Sequence, residues 1–155
     1  VSFIPEGYHS ITPYLIVNDA LKALAFYRDA FGATEVLRLA DPQGKIMHCE
    51  FQVGNSKIMM AEGCEEMGAL DPHTIGGSPV SLCLYVEKVD EIFQQALAAG
   101  ATEKRGVQDQ FYGDRSGTLE DPFGHTWTVA THIEDLTQEQ VDQRFAEWMQ
   151  QHGGQ

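Results

Sequence analysis

Basic residues are scarce. Ten Lys and Arg stand against 23 Asp and Glu, a formal charge of −13 over 155 residues. Nucleic-acid phosphates are held by clustered Lys and Arg, and here the few basic residues are scattered, so nucleic acid is excluded as a main partner. An anionic membrane surface is disfavoured for the same reason. No run approaches the ~20 apolar residues of a membrane span. Val1 to Gly7 has neither a basic n-region nor an apolar h-region, so no signal peptide is expected. Cysteine is sparse as well. Cys49, Cys64 and Cys83 are an odd count without CxxC spacing, which opposes a disulfide framework or a zinc knuckle and points to a reducing cytoplasm. There is no G-x-S-x-G elbow, no Ser-His-Asp order, and no phosphate loop, since Gly76-Gly77 lacks a following Lys.

What is present is a globular composition, 43% hydrophobic and 21% charged, carrying an internal repeat. Ile11–Val17 reads as a strand and is followed by a helical stripe through Ala20, Leu24, Tyr27 and Phe31, ending at Gly32-Ala-Thr-Glu35. Val80–Val86 reads as a second strand, followed by Val89, Ile92, Phe93, Ala96 and Leu97 and ending at Gly100-Ala-Thr-Glu103. The offset is 86 − 17 = 69 at the strand and 100 − 32 = 68 at the glycine. Three extended segments follow each tetrapeptide: Thr34–Leu39, Lys45–Val53 and Ser56–Glu62, then Thr102–Val107, Arg115–Glu120 and His125–Thr131. Asp41-Pro-Gln-Gly44, Gly54-Asn55, Gly113-Asp114 and Asp121-Pro-Phe-Gly124 supply the turns. Each half is β-α-β-β-β, about residues 8–62 and 79–133, joined by a linker at 63–78. Thr137 with Gln140 resembles a capping box that opens a helix over about 137–151, with Val141, Phe145, Trp148 and Met149 on its apolar stripe. Each half alone would bury little. The expected fold is α+β: two tandem modules forming a curved mixed sheet with a concave pocket, helices outside, and a C-terminal helix.

Some residues stand out on the pattern alone. His48, Glu50 and Gln52 share one strand face, with Met47, Cys49 and Phe51 on the other. That polar face is either a solvent face or the lining of a cavity. Two residues apart on one face, an imidazole and a carboxylate can pair, which would make His48 a base near neutrality with Glu50 orienting it. Tyr112 and Arg115 flank the Gly113-Asp114 turn. Arg115 either pairs with Asp114 or Glu120 or, in a pocket, draws an anionic or carbonyl group bidentately, with Tyr112 adding a stacking face. Trp127 and Met59-Met60 read as core residues or as an apolar wall for a flat ligand.

The order, repeat and length resemble the vicinal oxygen chelate superfamily, which holds glyoxalase I, extradiol dioxygenases, and fosfomycin and bleomycin resistance proteins. The PhnB-like branch is the nearest resemblance. It is carried by Gly7-Tyr-His-Ser-Ile-Thr-Pro-Tyr14, Phe26-Tyr27 with Phe31-Gly-Ala33, Met47-His-Cys-Glu50, and Gln110-Phe-Tyr-Gly-Asp-Arg-Ser-Gly117 running into Asp121-Pro-Phe-Gly-His-Thr-Trp127 and Ala130-Thr-His132. The resemblance implies a ligand on the concave face. In metal-dependent members it implies His, Glu or Gln ligands, one on the first and last strand of each module. Those positions fall on Thr12, Met60, Ser81 and Thr128, none a good ligand for zinc, nickel, manganese or iron. A shift of one or two residues would bring in Glu62, His125 or His132. No cofactor is therefore expected, and a divalent metal only if that alignment is displaced. A homodimer is expected, as is common in the superfamily. The resemblance leaves three functions: a metal-free protein that binds or sequesters a small polar or anionic ligand, a lyase or isomerase using His48 and Glu50, and a glyoxalase-like metal enzyme.

Overall fold

A computed structural model describes residues 1–153. The first unit runs β1 (Tyr14–Val17), α1 (Ala20–Phe31), β2 (Thr34–Ala40), β3 (Ile46–Val53) and β4 (Ser56–Glu62). A single 3-10 turn at Glu65–Met67 and the short helix α2 (Pro72–Ile75) lead to the second unit. That unit is β5 (Ser81–Tyr85), α3 (Val89–Ala99), β6 (Thr102–Asp109), β7 (Asp114–Glu120) and β8 (Thr126–His132), and α4 (Gln138–His152) follows. The chain is thus α+β with two tandem β-α-β-β-β units and a C-terminal helix. The strands make two four-stranded mixed sheets, ordered β1-β4-β3-β2 and β5-β8-β7-β6, rather than one hydrogen-bonded sheet. No helix among the described residues is long and apolar enough to cross a membrane.

Local chemistry explains the helices. Asp19 caps α1 by accepting from the Lys22 N–H, and Gly32 ends it in the left-handed region at φ 72°, where a Cβ would be strained. Ala20, Ala23, Phe26, Tyr27, Ala30 and Phe31 form its buried stripe. In α3 the stripe is Val89, Phe93 and Ala96. The capping box at α4 forms between Thr137 and Gln140.

Side chains of the helices link the two sheets. The Tyr27 ring stacks on Phe51 of the first sheet at 5.2 Å and lies 5.6 Å from Trp127 of the second. Phe31 reaches Trp127 at 4.9 Å, and Gln95 of α3 donates to the Ala30 carbonyl of α1 at 3.1 Å. One continuous core therefore serves both units. Burying rings such as Phe51 and Trp127 stabilises by about 1.5–3 kcal/mol each. Each helix covers one face of its own sheet, and the other face of each sheet is left to the outside.

Strand parity assigns the faces. On β3, Cys49, Phe51 and Val53 point to the helices, and His48, Glu50 and Gln52 point away. Met47 departs from the expected pattern. It is exposed while Ile46 is buried, because the β2–β3 register shifts between Leu39 and Ala40. On β4, Ile58 and Met60 face the helices. On β7, Leu119 is buried beside α3, so Gly117 and Arg115 share its side, while Asp114, Ser116 and Thr118 take the other.

Candidate functional site

The uncovered face of the first sheet carries a hydrogen-bonded chain of four residues. The Tyr14 hydroxyl lies 2.9 Å from His48 Nδ1, His48 Nε2 lies 2.7 Å from Glu50 Oε2, and the Tyr8 hydroxyl donates to Glu50 Oε1. A carboxylate only accepts, so in the neutral imidazole Nε2 carries the hydrogen and Nδ1 accepts from Tyr14. Strand pairing builds the arrangement. Tyr14 of β1 sits opposite Met59 of β4, and Met59 sits opposite Glu50 of β3. The segment before β1 brings Tyr8 across the same face, where the Lys57 ammonium lies 5.7 Å from its ring centroid. The His48 and Glu50 side chains are 22% and 14% exposed, whereas Tyr14 is half exposed. Tyr14 is therefore the outward end of the chain. Partial burial holds its phenol above the ordinary range, with Cys49 adding to the effect.

The uncovered face of the second sheet is organised around Asp114. Asp114 Oδ2 accepts from the Tyr85 hydroxyl at 2.6 Å, and Oδ1 lies 2.8 Å from His132 Nδ1. His132 Nε2 lies 2.8 Å from Asp135. The hydrogen bond to Asp114, seconded by Asp135, raises the His132 pKa, and the hydrogen bond to Asp114 pushes the Tyr85 phenol up to about 12. Beyond Asp114 lie Ser116 and Thr118, crossed by Arg105 from β6. The guanidinium donates to the Ser116 carbonyl and hydroxyl at 3.1 Å each and to the Thr118 hydroxyl at 3.4 Å. Thr118 and Thr128 hydroxyls are 3.1 Å apart.

Several residues nominated from the sequence lie elsewhere. Arg115 is on the helix side of β7, held by Asp90 of α3 at 2.8 Å and by Asp109 at 3.0 Å, rather than by Asp114 or Glu120. It is not a ligand anchor on the uncovered face, because parity places it with Leu119. Met60 and Trp127 are core residues, 0% and 2% exposed. Glu62 accepts from the Ala20 N–H at 3.1 Å and serves the first turn of α1. Trp127 and Thr12 both line an apolar cavity of about 330 Å³ near the β1 and β5 ends, together with Ile58, Leu82 and Leu84. Ser81 and Thr128 belong to the uncovered side of the second sheet, since β5–β8 pairing aligns Ser81 with Thr126 and Cys83 with Thr128. Tyr112 is 42% exposed, set edge-on to Phe111 at 5.2 Å, and close enough to Tyr85 to act on its charge. The sequence reading missed Tyr8, Tyr14, Asp114 and Arg105 as site residues. The Gly7–Tyr14 motif held a signal for the tyrosines: Tyr14 shares parity with Thr12 on the strand.

A divalent metal does not fit these faces. On β4 the residues turned away from the helices are Lys57, Met59 and Ala61, so the position aligned to Met60 belongs to Met59. The repeat agrees, since 128 − 59 = 69 and 83 − 14 = 69. The corresponding quartet is Tyr14, Met59, Cys83 and Thr128, two neutral hydroxyls, a thioether and one thiol. His125 Nε2 donates to the Ile16 carbonyl at 2.9 Å, and Glu62 is engaged at α1. Among the described residues no three His, Cys, Asp or Glu side chains cluster as a ligand set. Cys49 lies on the helix side, where burial pushes its thiol up to about 11, which leaves it a poor nucleophile and ligand.

Comparison with known proteins agrees with the fold. The profile of the Glyoxalase/Bleomycin resistance protein/Dioxygenase superfamily matches residues 7–129. An uncharacterized protein of Mycobacterium bovis is 36% identical over 135 residues, covering 85% of this chain and 89% of that protein. Among solved structures, TioX from Micromonospora sp. ML1 aligns with a TM-score of 0.62 and 25% identity over 83% of this chain and all of that one. A PhnB protein from Bacillus cereus aligns with a TM-score of 0.62 and 19% identity, over 79% and 99% of the two chains.

Proposed function

The chain belongs to the Glyoxalase/Bleomycin resistance protein/Dioxygenase superfamily, and from that premise we propose that it binds a small polar or anionic molecule against its uncovered sheet faces without a resident metal. The observation that carries this reading is the Tyr8–Glu50–His48–Tyr14 chain, whose outward phenol is half exposed. A solvent face needs no such chain, and ordering four side chains costs conformational entropy. A second copy of the chain would close a cup over these faces. Exposed Leu37, Leu39 and Met47 beside the first face suit burial in that homodimer. Free Cys49, Cys64 and Cys83 suit a reducing cytoplasm.

Screening small carboxylates, phosphonates and carbonyl compounds by thermal shift tests the reading. It expects at least one compound that raises Tm in the wild type and fails to do so in His48→Ala and Tyr14→Phe. Hits indifferent to both substitutions would refute it. A second reading is favoured by the polarity of the chain. Tyr14 donates to His48, which donates to Glu50, so a proton taken at Tyr14 has a path to a carboxylate. On that reading the chain is a lyase or isomerase, and His48→Ala abolishes turnover while leaving binding intact.

A further inference from the structure

The chain has five arginines, and four of them pair with carboxylates: Arg28 with Asp29 at 3.0 Å, Arg38 with Glu35 at 2.7 Å, Arg115 with Asp90 at 2.8 Å, and Arg144 with Glu134 at 2.8 Å. Arg105 is different. Among the described residues it has no carboxylate within ion-pair distance, although the chain holds 23 acidic side chains. Its partners are the Ser116 carbonyl, the Ser116 hydroxyl and the Thr118 hydroxyl. These acceptors hold the guanidinium along β7 but do not neutralise it. A guanidinium has five N–H donors, so Nε–H and one Nη1–H stay unengaged.

The position is set by the repeat. Arg105 pairs with Thr118 as Leu37 pairs with Glu50, and 105 − 37 = 118 − 50 = 68. Where the first face carries a carboxylate and an apolar side chain, the second carries a hydroxyl and a cation. Covering the buried Ser116 hydroxyl needs one donor and no charge. A cation with no carboxylate partner, on the face turned from the helices and beside the linked Thr118 and Thr128 hydroxyls, keeps its charge and a free Nε–H with which to hold an oxyanion.

We infer that Arg105, Ser116 and Thr118 form an anion seat that takes the carboxylate or phosphoryl group of the ligand. The inference rests on the proposal that the ligand lies on the uncovered faces, and it names the ligand's chemical class.

The test is a titration of ¹⁵N-labelled full-length protein, once with inorganic phosphate and once with benzoate, following the arginine Nε–H resonances. Arg105→Gln assigns the Arg105 signal. The expected result is a saturable shift of that signal with at least one anion, while Arg115, locked between Asp90 and Asp109, stays still. A response to phosphate alone assigns the seat to phosphoryl groups, and a response to benzoate alone to carboxylates. Arg105→Gln should weaken the anion about tenfold or more. Arg105→Lys, which keeps the charge and loses the free Nε–H, should fall between. No saturable shift with either anion overturns the seat, and this arm needs no variant to fold. So does a folded Arg105→Gln that binds as tightly as wild type. Either failure leaves the dependence on His48 and Tyr14 standing. Loss of that dependence with a responsive Arg105 removes the proposed function instead.

Discussion

Replacing Asp121 by Ala should be among the most damaging single changes in this chain. Asp121 is 2% exposed and its two oxygens accept four hydrogen bonds. Oδ1 takes the Phe123 and His125 N–H groups at 2.9 and 3.0 Å, which forms the Asp121–Gly124 turn. Oδ2 takes the Tyr27 hydroxyl and the Trp127 indole N–H, the latter at 2.9 Å. The turn was legible as a local device; its second role, tying α1 to β8, is long-range. Alanine leaves two ring donors buried without partners, at about 1–3 kcal/mol each, and releases the two turn amides. Relief from burying a carboxylate offsets part of this. The expected loss is about 3–4 kcal/mol, read as a shift in the urea midpoint at fixed protein concentration with m unchanged. Asn fares little better, because turning its NH₂ towards either oxygen's donors sets N–H against N–H. Tyr27→Phe should cost about 1 kcal/mol in the wild type. In the Asp121→Ala background it should cost nothing or stabilise, since it removes an orphaned hydroxyl. A loss under about 1 kcal/mol for Asp121→Ala, or the same Tyr27→Phe penalty in both backgrounds, would refute the four-bond account.

Gly117→Ala should destabilise by about 1–3 kcal/mol, because a Cβ there would stand 2.8 Å from the Phe93 ring and 3.1 Å from the Arg105 carbonyl; chemical denaturation reads this. The His132 pKa lies above the ordinary 6.5, so its contacts stabilise fully below that value and lose their contribution as pH rises through the raised one. An NMR titration should show this, with Asp114→Asn bringing the His132 midpoint down. Tyr85→Phe should remove one phenol titrating at about 12 from the alkaline absorbance curve. Light scattering should give twice the 17.2 kDa chain mass, and a monomer at micromolar concentration would remove the second copy from the proposed cup.

Arg115 and Arg105 show where reading along the chain stopped working. Arg115 was legible in principle. Arg115, Gly117 and Leu119 alternate on one regular strand, and an apolar Leu marks that side as core. Arg105 was not, because the β6–β7 register shifts on both sides of it, between Glu103 and Arg105 and again before Gln108. Parity counting fails across such irregularities. Met59 and Met60 failed for another reason. Ile58, Met59, Met60 and Ala61 are all apolar, so a period of two has nothing to count.

By itself the sequence determined the two β-α-β-β-β units, α1 with its glycine stop, the capping box of α4, the polar alternation of His48, Glu50 and Gln52, and the family. These depend on residues within a turn or two of each other, where propensity, capping and side-chain period act. Tertiary structure alone decided that the strands form two separate sheets, that Tyr8 and Tyr14 complete the His48–Glu50 chain, and that Arg105 rather than Arg115 is the arginine on an uncovered face. Each of those facts joins residues far apart in the chain. Such contacts are set by ladder register and by which faces the core buries, and neither is written in local order.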